Sequence, residues 1–130
     1  MSAKPLVSIV DDDQSARDGI ADLVRAIGFD AEAFESAADF LKSSRRDLTS
    51  CLITDARMPG MNGLELRDHL VASGTPIPTI VITAFPKDAD RVRALQTGVL
   101  CYLTKPVEES ELVACIALAL DSVAEGSRDS

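Results

Sequence analysis

The chain has 130 residues, 46% of them apolar and 26% charged, which is the composition of one globular domain and not of a disordered or fibrous chain. Its formal net charge of -8 and the lack of a basic stripe argue against direct binding of nucleic acid, which depends on Lys and Arg neutralising phosphates. Residues 1–5 contain no apolar signal core, and no apolar run reaches the ~20 residues that cross a bilayer, so we expect a cytoplasmic protein without a membrane segment.

Short apolar runs rich in β-branched residues alternate with amphipathic runs along the chain, which is typical of βα units that build a parallel sheet covered on both faces. Predicted strands cover residues 6–10, 31–34, 51–54, 79–83 and 100–103, and predicted helices lie around 20–27, 36–41, 64–72, 88–96 and 109–124. The five units predict one α/β domain over residues 1–124. The polar stretch 125–130 is then either a frayed end or the start of a linker.

Polar residues stand where the predicted strands end. The first strand is followed by Asp11 and Asp12, the third by Asp55, the fourth ends in Thr83, and the fifth leads through Thr104 into Lys105 and Pro106. Because open parallel sheets bind ligands at the carboxyl ends of their strands, these side chains should meet in one crevice.

The acidic residues of this crevice favour a bound cation. Three carboxylates that lie together repel one another, and Mg²⁺, with Mn²⁺ as an alternative, would neutralise them through oxygen coordination. Asp55 could then act as a nucleophile toward phosphorus. An alternative role for the first acidic run is to cap the following helix, and we expect Asp13 to do only that.

Three further positions fit phosphoryl chemistry. Lys105 would pair with the carboxylate before the reaction and with a phosphoryl oxygen afterwards. Thr83 and the backbone amide of Ala84 would donate hydrogen bonds to the phosphoryl group. Each of these residues has an ordinary structural explanation when it is considered alone, and it is their joint order at successive strand ends that indicates a site.

The sequence resembles the receiver domains of two-component response regulators over nearly its whole length. The segments that carry the resemblance are Ile9–Asp13, Asp55–Leu66, Val81–Ala84 and Tyr102–Pro106. The sequence of residues 58–66, Met-Pro-Gly-Met-Asn-Gly-Leu-Glu-Leu, looks most like that of the FixJ-type subgroup. The resemblance implies a flavodoxin-like, doubly wound five-stranded parallel sheet with the strand order 2-1-3-4-5.

The resemblance also implies roles for individual residues. Asp55 falls on the phosphoacceptor position, which receives its phosphoryl group from a sensor histidine kinase. The metal ligands would be Asp11, Asp12, Asp55 and the backbone carbonyl of Arg57, and the Lys105–Pro106 peptide bond is expected to be cis. Thr83 and Tyr102 fall on the switch pair of the family.

The resemblance implies that phosphorylation changes one surface of the domain. After phosphorylation Thr83 would be drawn inward, Tyr102 would turn into the space behind it, and the face formed by helix 4, strand 5 and helix 5 would change. The predicted helix 5 has more apolar residues than one buried stripe requires, so we expect a homodimer through this face. FixJ-type receivers usually precede a helix-turn-helix output domain, so the chain is either a stand-alone receiver or one cut from a longer regulator.

Three other classes of protein share some of these features. Haloacid-dehalogenase-like phosphatases use a similar site but need a second acid two residues after the nucleophile, where this chain has Arg57, which cannot shuttle protons at neutral pH. A flavodoxin-like nucleotide-binding module would have a glycine-rich cradle instead of three acids after the first strand. A degenerate receiver would lack some chemical positions, and all of them are filled here. We therefore expect a switch with self-catalysed phosphorylation and dephosphorylation, and not a turnover enzyme.

The cysteines and the histidine are expected to play no chemical role. Cys51, Cys101 and Cys115 contain no C-x-x-C pair and lie in or beside apolar stretches, which predicts reduced and buried thiols. His69 lies in the middle of the third predicted helix and is expected at the surface.

Overall fold

Five parallel strands form one sheet in the order β2-β1-β3-β4-β5. The structure is a computed structural model that describes residues 4–129; residues 1–3 and 130, at the ends of the predicted domain and of its polar tail, lie outside this range. The strands are β1 (Leu6–Val10), β2 (Asp30–Phe34), β3 (Thr49–Asp55), β4 (Thr79–Thr83) and β5 (Cys101–Thr104). The helices are α1 (Gln14–Ala26), α2 (Ala37–Lys42), α3 (Gly63–Ala72), α4 (Asp88–Gln96) and α5 (Glu109–Asp129), with a 3-10 turn over Arg46–Leu48.

The sheet is covered on both faces. Side chains alternate along a parallel strand, so neighbouring residues point to opposite faces. In β3, Cys51 and Ile53 pack into a core with α1 and α5, whereas Leu52 packs with Phe40 of α2 and residues of α3. Every residue of β1 and β4 is buried, which explains why these runs are almost continuously apolar in the sequence.

The predicted fold class is confirmed, including the strand order. The α1 N-terminus is capped as expected, since the Asp13 side chain accepts a hydrogen bond from Ser15 N. His69 is exposed, as predicted. No helix among residues 4–129 is long and apolar enough to span a membrane.

The end of the last helix differs from the prediction. α5 continues to Asp129 instead of ending near Ala124. Glu125 and Arg128 are good helix formers, and Gly126 costs only about 1 kcal/mol in a helix, so the polar composition of this stretch does not stop the helix. The boundary of the domain at residue 124 remains a prediction.

The expectation of three reduced cysteines is wrong for two of them. The structure joins Cys101 of β5 and Cys115 of α5 in a disulfide, with their Cα atoms 6.3 Å apart. Cys51 is free and fully buried, and burial raises the pKa of its thiol to about 12. The spacing of the pair in the sequence gives no sign of the bond, because only the packing of α5 against the sheet brings the two together.

Candidate functional site

The acidic cluster lies where β1 and β3 end. These strands are adjacent and parallel, and Val10 is paired with Thr54, so Asp11 and Asp55 follow at the same level of the sheet. Carboxylate oxygens of Asp11, Asp12 and Asp55 all lie within 4.8 Å of one another. Asp11 is fully buried and Asp55 is 7% exposed, whereas Asp12 is exposed at the mouth of the cluster. The predicted set of three acids is therefore brought together.

Lys105 bridges two of the acids from the end of β5. Its Nζ donates a hydrogen bond to Asp55 Oδ2 at 2.8 Å and lies 2.9 Å from Asp11 Oδ2. The backbone holds it there, because Lys105 N donates to Thr83 O at 2.8 Å and ties the end of β5 to the end of β4. The peptide bond between Lys105 and Pro106 is cis.

The charge of Lys105 stabilises the carboxylates of Asp11 and Asp55, which repel each other. Burial raises the pKa of the Asp11 carboxyl, the nearby Lys105 ammonium and the Asp13 amide oppose that effect, and the charge of Asp55 adds to it. Burial would by itself lower the pKa of Lys105, but its hydrogen bonds and charge interactions with Asp55 and Asp11 outweigh burial and raise the pKa. Lys105 is therefore a permanent cation of the site at neutral pH.

The arrangement suits a divalent metal ion. Asp11 Oδ2 has no hydrogen bond of good geometry among the described residues, although Lys105 Nζ lies close to it. A fully buried carboxylate oxygen without a full set of partners, beside two further carboxylates, is a hard oxygen donor of the kind that Mg²⁺ prefers. Asp12 leaves the cluster open to solvent on one side, which allows a metal ion to keep part of its water shell.

Arg57 stands two residues after Asp55 and contacts the site through its backbone. Arg57 N donates to Asp55 Oδ1 at 3.0 Å, so both carboxylate oxygens of Asp55 have a donor. The Arg57 guanidinium lies 5.5 Å from the centre of the exposed Phe85 ring. No acid occupies the position at which a phosphatase of the dehalogenase type would need one.

Thr83 and Tyr102 lie on β4 and β5, the two strands on the other side of β3 from β1. Thr83 is buried, and its hydroxyl accepts a hydrogen bond from Phe85 N at 3.0 Å. Ala84, which follows Thr83, is exposed. Tyr102 is half-buried and packs with the buried residues Val81, Ala94 and Val99.

A small cavity lies next to Tyr102. It has a volume of about 190 Å³ and is bordered by Arg57, Asp90 and Tyr102, among others. Burial raises the pKa of the Tyr102 hydroxyl, the charge of Asp90 adds to this, and Arg57 opposes it. The phenol is therefore neutral at physiological pH and can serve as a hydrogen-bond donor.

Two residues of the site were missed by the sequence-based reasoning. Arg17, on the first turns of α1, donates from NH1 to the carbonyl of Asp11 at 2.8 Å. Gly63, at the start of α3, packs so closely on the backbone carbonyl of Asp55 that a Cβ atom would collide with it. Neither residue carries a usable signal in the sequence, because the Arg17 contact depends on how α1 packs at the strand end and the glycine looks like an ordinary turn residue.

Comparison with known proteins places the chain among signalling proteins. The model of the response regulator receiver domain matches residues 7–117. Nodulation protein W of Bradyrhizobium diazoefficiens is 37% identical over 120 residues, which cover 92% of this chain and 53% of that protein. The transcriptional regulatory protein FixJ of the same organism is 32% identical, over 92% of this chain and 58% of its own length.

A solved structure shows the same architecture. The response regulator StyR superposes with a TM-score of 0.87 and is 42% identical, and the match covers 98% of this chain and 64% of that one. The chain spans just over half the length of the two curated relatives described above. The similarity therefore concerns one domain of these regulators.

Proposed function

Because the chain belongs to the response regulator receiver domain family, we propose that Asp55 accepts a phosphoryl group from a histidine kinase of a two-component system. Receiver domains act as signalling switches and generally bind Mg²⁺ at an acidic pocket. The observation that carries the proposal is the contact of one partly buried ammonium, Lys105, with both Asp55 and Asp11 at the carboxyl ends of β5, β3 and β1.

In the transfer step, a carboxylate oxygen of Asp55 forms the new bond to phosphorus while the bond from phosphorus to the donor atom breaks. Lys105 then turns from a carboxylate partner into a partner of a phosphoryl oxygen. Arg57 N keeps the carboxylate oriented, because it is bound to Asp55 Oδ1 before the reaction. A divalent cation held by Asp11, Asp12, Asp55 and the Arg57 carbonyl would supply charge neutralisation for the phosphoryl oxygens.

The switch is proposed to run through Thr83, Ala84 and Tyr102. The Thr83 hydroxyl and the Ala84 amide would bind phosphoryl oxygens, so that Thr83 exchanges its hydrogen bond from Phe85 N for one that it donates. The movement of Thr83 would free space between β4 and the Tyr102 side chain of the neighbouring strand β5. The cavity of about 190 Å³ next to Tyr102 supports an inward turn of its ring.

The output surface is proposed to be the face of α4, β5 and α5, where a second copy of the chain would bind. Apolar side chains are exposed on both helices: Val92 and Leu95 on α4, and Val113 and Leu118 on α5. Equilibrium sedimentation with and without a beryllium fluoride adduct measures this association. A monomer under both conditions would contradict it.

Several properties of the whole protein follow as proposals. In a longer regulator the domain over residues 1–124 would be followed by a linker from 125 and an output domain, since the curated relatives extend beyond the matched region. We propose that the protein works in the cytoplasm, where sensor kinases present their phosphohistidine. Turnover of external phosphate esters is not expected, because the side chain of Arg57 cannot act as the general acid and base.

Intact mass spectrometry after incubation with acetyl phosphate and Mg²⁺ tests the phosphoacceptor. The wild type should gain one phosphoryl group, and Asp55→Asn should gain none. Asp13→Asn is a matched control, because Asp13 belongs to the same acidic run but caps α1, and it should still be phosphorylated. An adduct on Asp55→Asn, or no adduct on the wild type, contradicts the proposal.

A further inference from the structure

Cys101 and Cys115 connect the strand and the helix that border the proposed output face. Cys101 is the first residue of β5, and Cys115 lies in α5 fourteen positions later. Their Cα atoms are 6.3 Å apart, within the range of about 4.4–6.8 Å that a disulfide requires. The fold thus holds the two residues at a separation that suits the bridge.

The pair differs from the third cysteine in its access to reagents. Cys101 is half-buried at the edge strand of the sheet and Cys115 is 7% exposed, while Cys51 is 0% exposed on the central strand β3. Burial also raises the pKa of the Cys51 thiol to about 12, which keeps it in the unreactive thiol form. Reactivity toward external thiol reagents is therefore concentrated at the pair.

We propose that Cys101 and Cys115 are a redox modification site, a dithiol that is reversibly oxidised to a disulfide by exchange with low-molecular-weight disulfides. The Cys101 thiolate, at the more accessible position, attacks one sulfur of the small disulfide and releases the first small thiol. The Cys115 thiolate then attacks Cys101 and displaces the second small thiol. The protein loses two protons and two electrons, and the small disulfide takes them up as two thiols.

The bridge acts on the segment that carries the site. The loop that it closes contains Tyr102 and Lys105, and it links β5 to α5. Cys101 faces the core shared with α1 and α5, whereas Tyr102 packs toward α4 on the opposite face. Oxidation therefore fixes α5 on β5 while leaving the space on the α4 side of Tyr102 open.

The test is to count thiols in protein equilibrated with different ratios of oxidised to reduced glutathione. Samples are quenched in acid, denatured, alkylated with N-ethylmaleimide and weighed intact. The wild type should pass from three labels to one without a retained glutathione, and Cys51→Ser should pass from two labels to none. Cys115→Ser should never lose two labels together.

Thermal unfolding measures the consequence in the folded protein. The oxidised wild type and Cys51→Ser should melt about 10 °C above their reduced forms, since closing a loop of this length constrains the unfolded chain. Cys115→Ser should show no such difference. Three labels on the wild type at every ratio, a persistent glutathione adduct, or equal melting temperatures of oxidised and reduced wild type would overturn the proposal.

Discussion

Among the described residues, Lys105 is the cation that lies between Asp55 and Asp11, and replacing it by Met removes this charge. The ammonium lies 2.8 Å from Asp55 Oδ2 and 2.9 Å from Asp11 Oδ2, and the side chains involved are 16%, 10% and 0% exposed. Met keeps most of the length and the apolar stem of the side chain, so the substitution mainly removes charge. It leaves two carboxylates close together with little water around them.

The expected loss is large compared with the stability of a domain. Removing one partner of a buried ion pair costs about 3–5 kcal/mol, because the remaining charge is uncompensated. We expect the lower end, about 3 kcal/mol, because the exposed Asp12 side of the cluster admits water. A typical domain is stable by about 5–15 kcal/mol, so the variant should still fold.

Urea unfolding without divalent cations measures this loss, with Lys4→Met as an exposed control that should change stability by less than about 0.5 kcal/mol. Combining Lys105→Met with Asp55→Asn removes one of the two carboxylate charges, and the double variant should recover at least about 1 kcal/mol of the lost free energy of unfolding. Mg²⁺ should stabilise Lys105→Met more than wild type, because it replaces the missing charge. A loss below about 1 kcal/mol, or a double variant as unstable as the single one, would refute the electrostatic account.

Three further variants test other parts of the structure. Gly63→Ala forces a methyl group into the backbone carbonyl of Asp55, so it should lower the free energy of unfolding in urea by about 1–3 kcal/mol and slow phosphorylation. The control Gly19→Ala, whose methyl group meets open space, should have neither effect. Equal effects of the two substitutions would contradict the packing. The pKa of the Cys51 thiol is higher in the folded chain than in the unfolded chain. The protonated thiol therefore stabilises the folded state fully below pH 9, and this stabilisation is lost as the pH rises toward 12. The stability advantage of wild type over Cys51→Ala should therefore fall by about 2 kcal/mol between pH 8 and pH 10.5, and parallel curves would refute it. Thr83→Ala should still accept a phosphoryl group but dimerise about tenfold more weakly afterwards, because one hydrogen bond to a charged group is lost. Sedimentation measures the association, and an association as strong as that of the wild type would rule Thr83 out of the switch.

Much of the fold could be predicted because its signals are local. The continuous apolar character of β1 and β4 follows from burial on both faces, and each run is long enough to identify a strand. The end of α5 was wrong because composition cannot distinguish a polar helix from a polar tail. The disulfide was missed for a different reason: Cys101 and Cys115 meet only when α5 packs on the sheet.

The candidate site was predictable to the extent that it depends on strand ends. The order of Asp11, Asp55 and Lys105 along the chain, combined with parallel strands, was enough to expect their proximity. The contacts that lock the site could not be read in this way. Arg17 reaches the Asp11 carbonyl from a helix, and Gly63 touches Asp55 from another, so both depend on how helices pack on the sheet edge.

Identification of the modified residue tests the central claim most directly. The protein is phosphorylated with acetyl phosphate and Mg²⁺, reduced with borohydride, which converts an aspartyl phosphate to homoserine, digested, and sequenced by mass spectrometry. We predict homoserine at position 55 and at no other aspartate. Homoserine at position 11 or 12 in place of position 55, or an unmodified protein, would contradict the account.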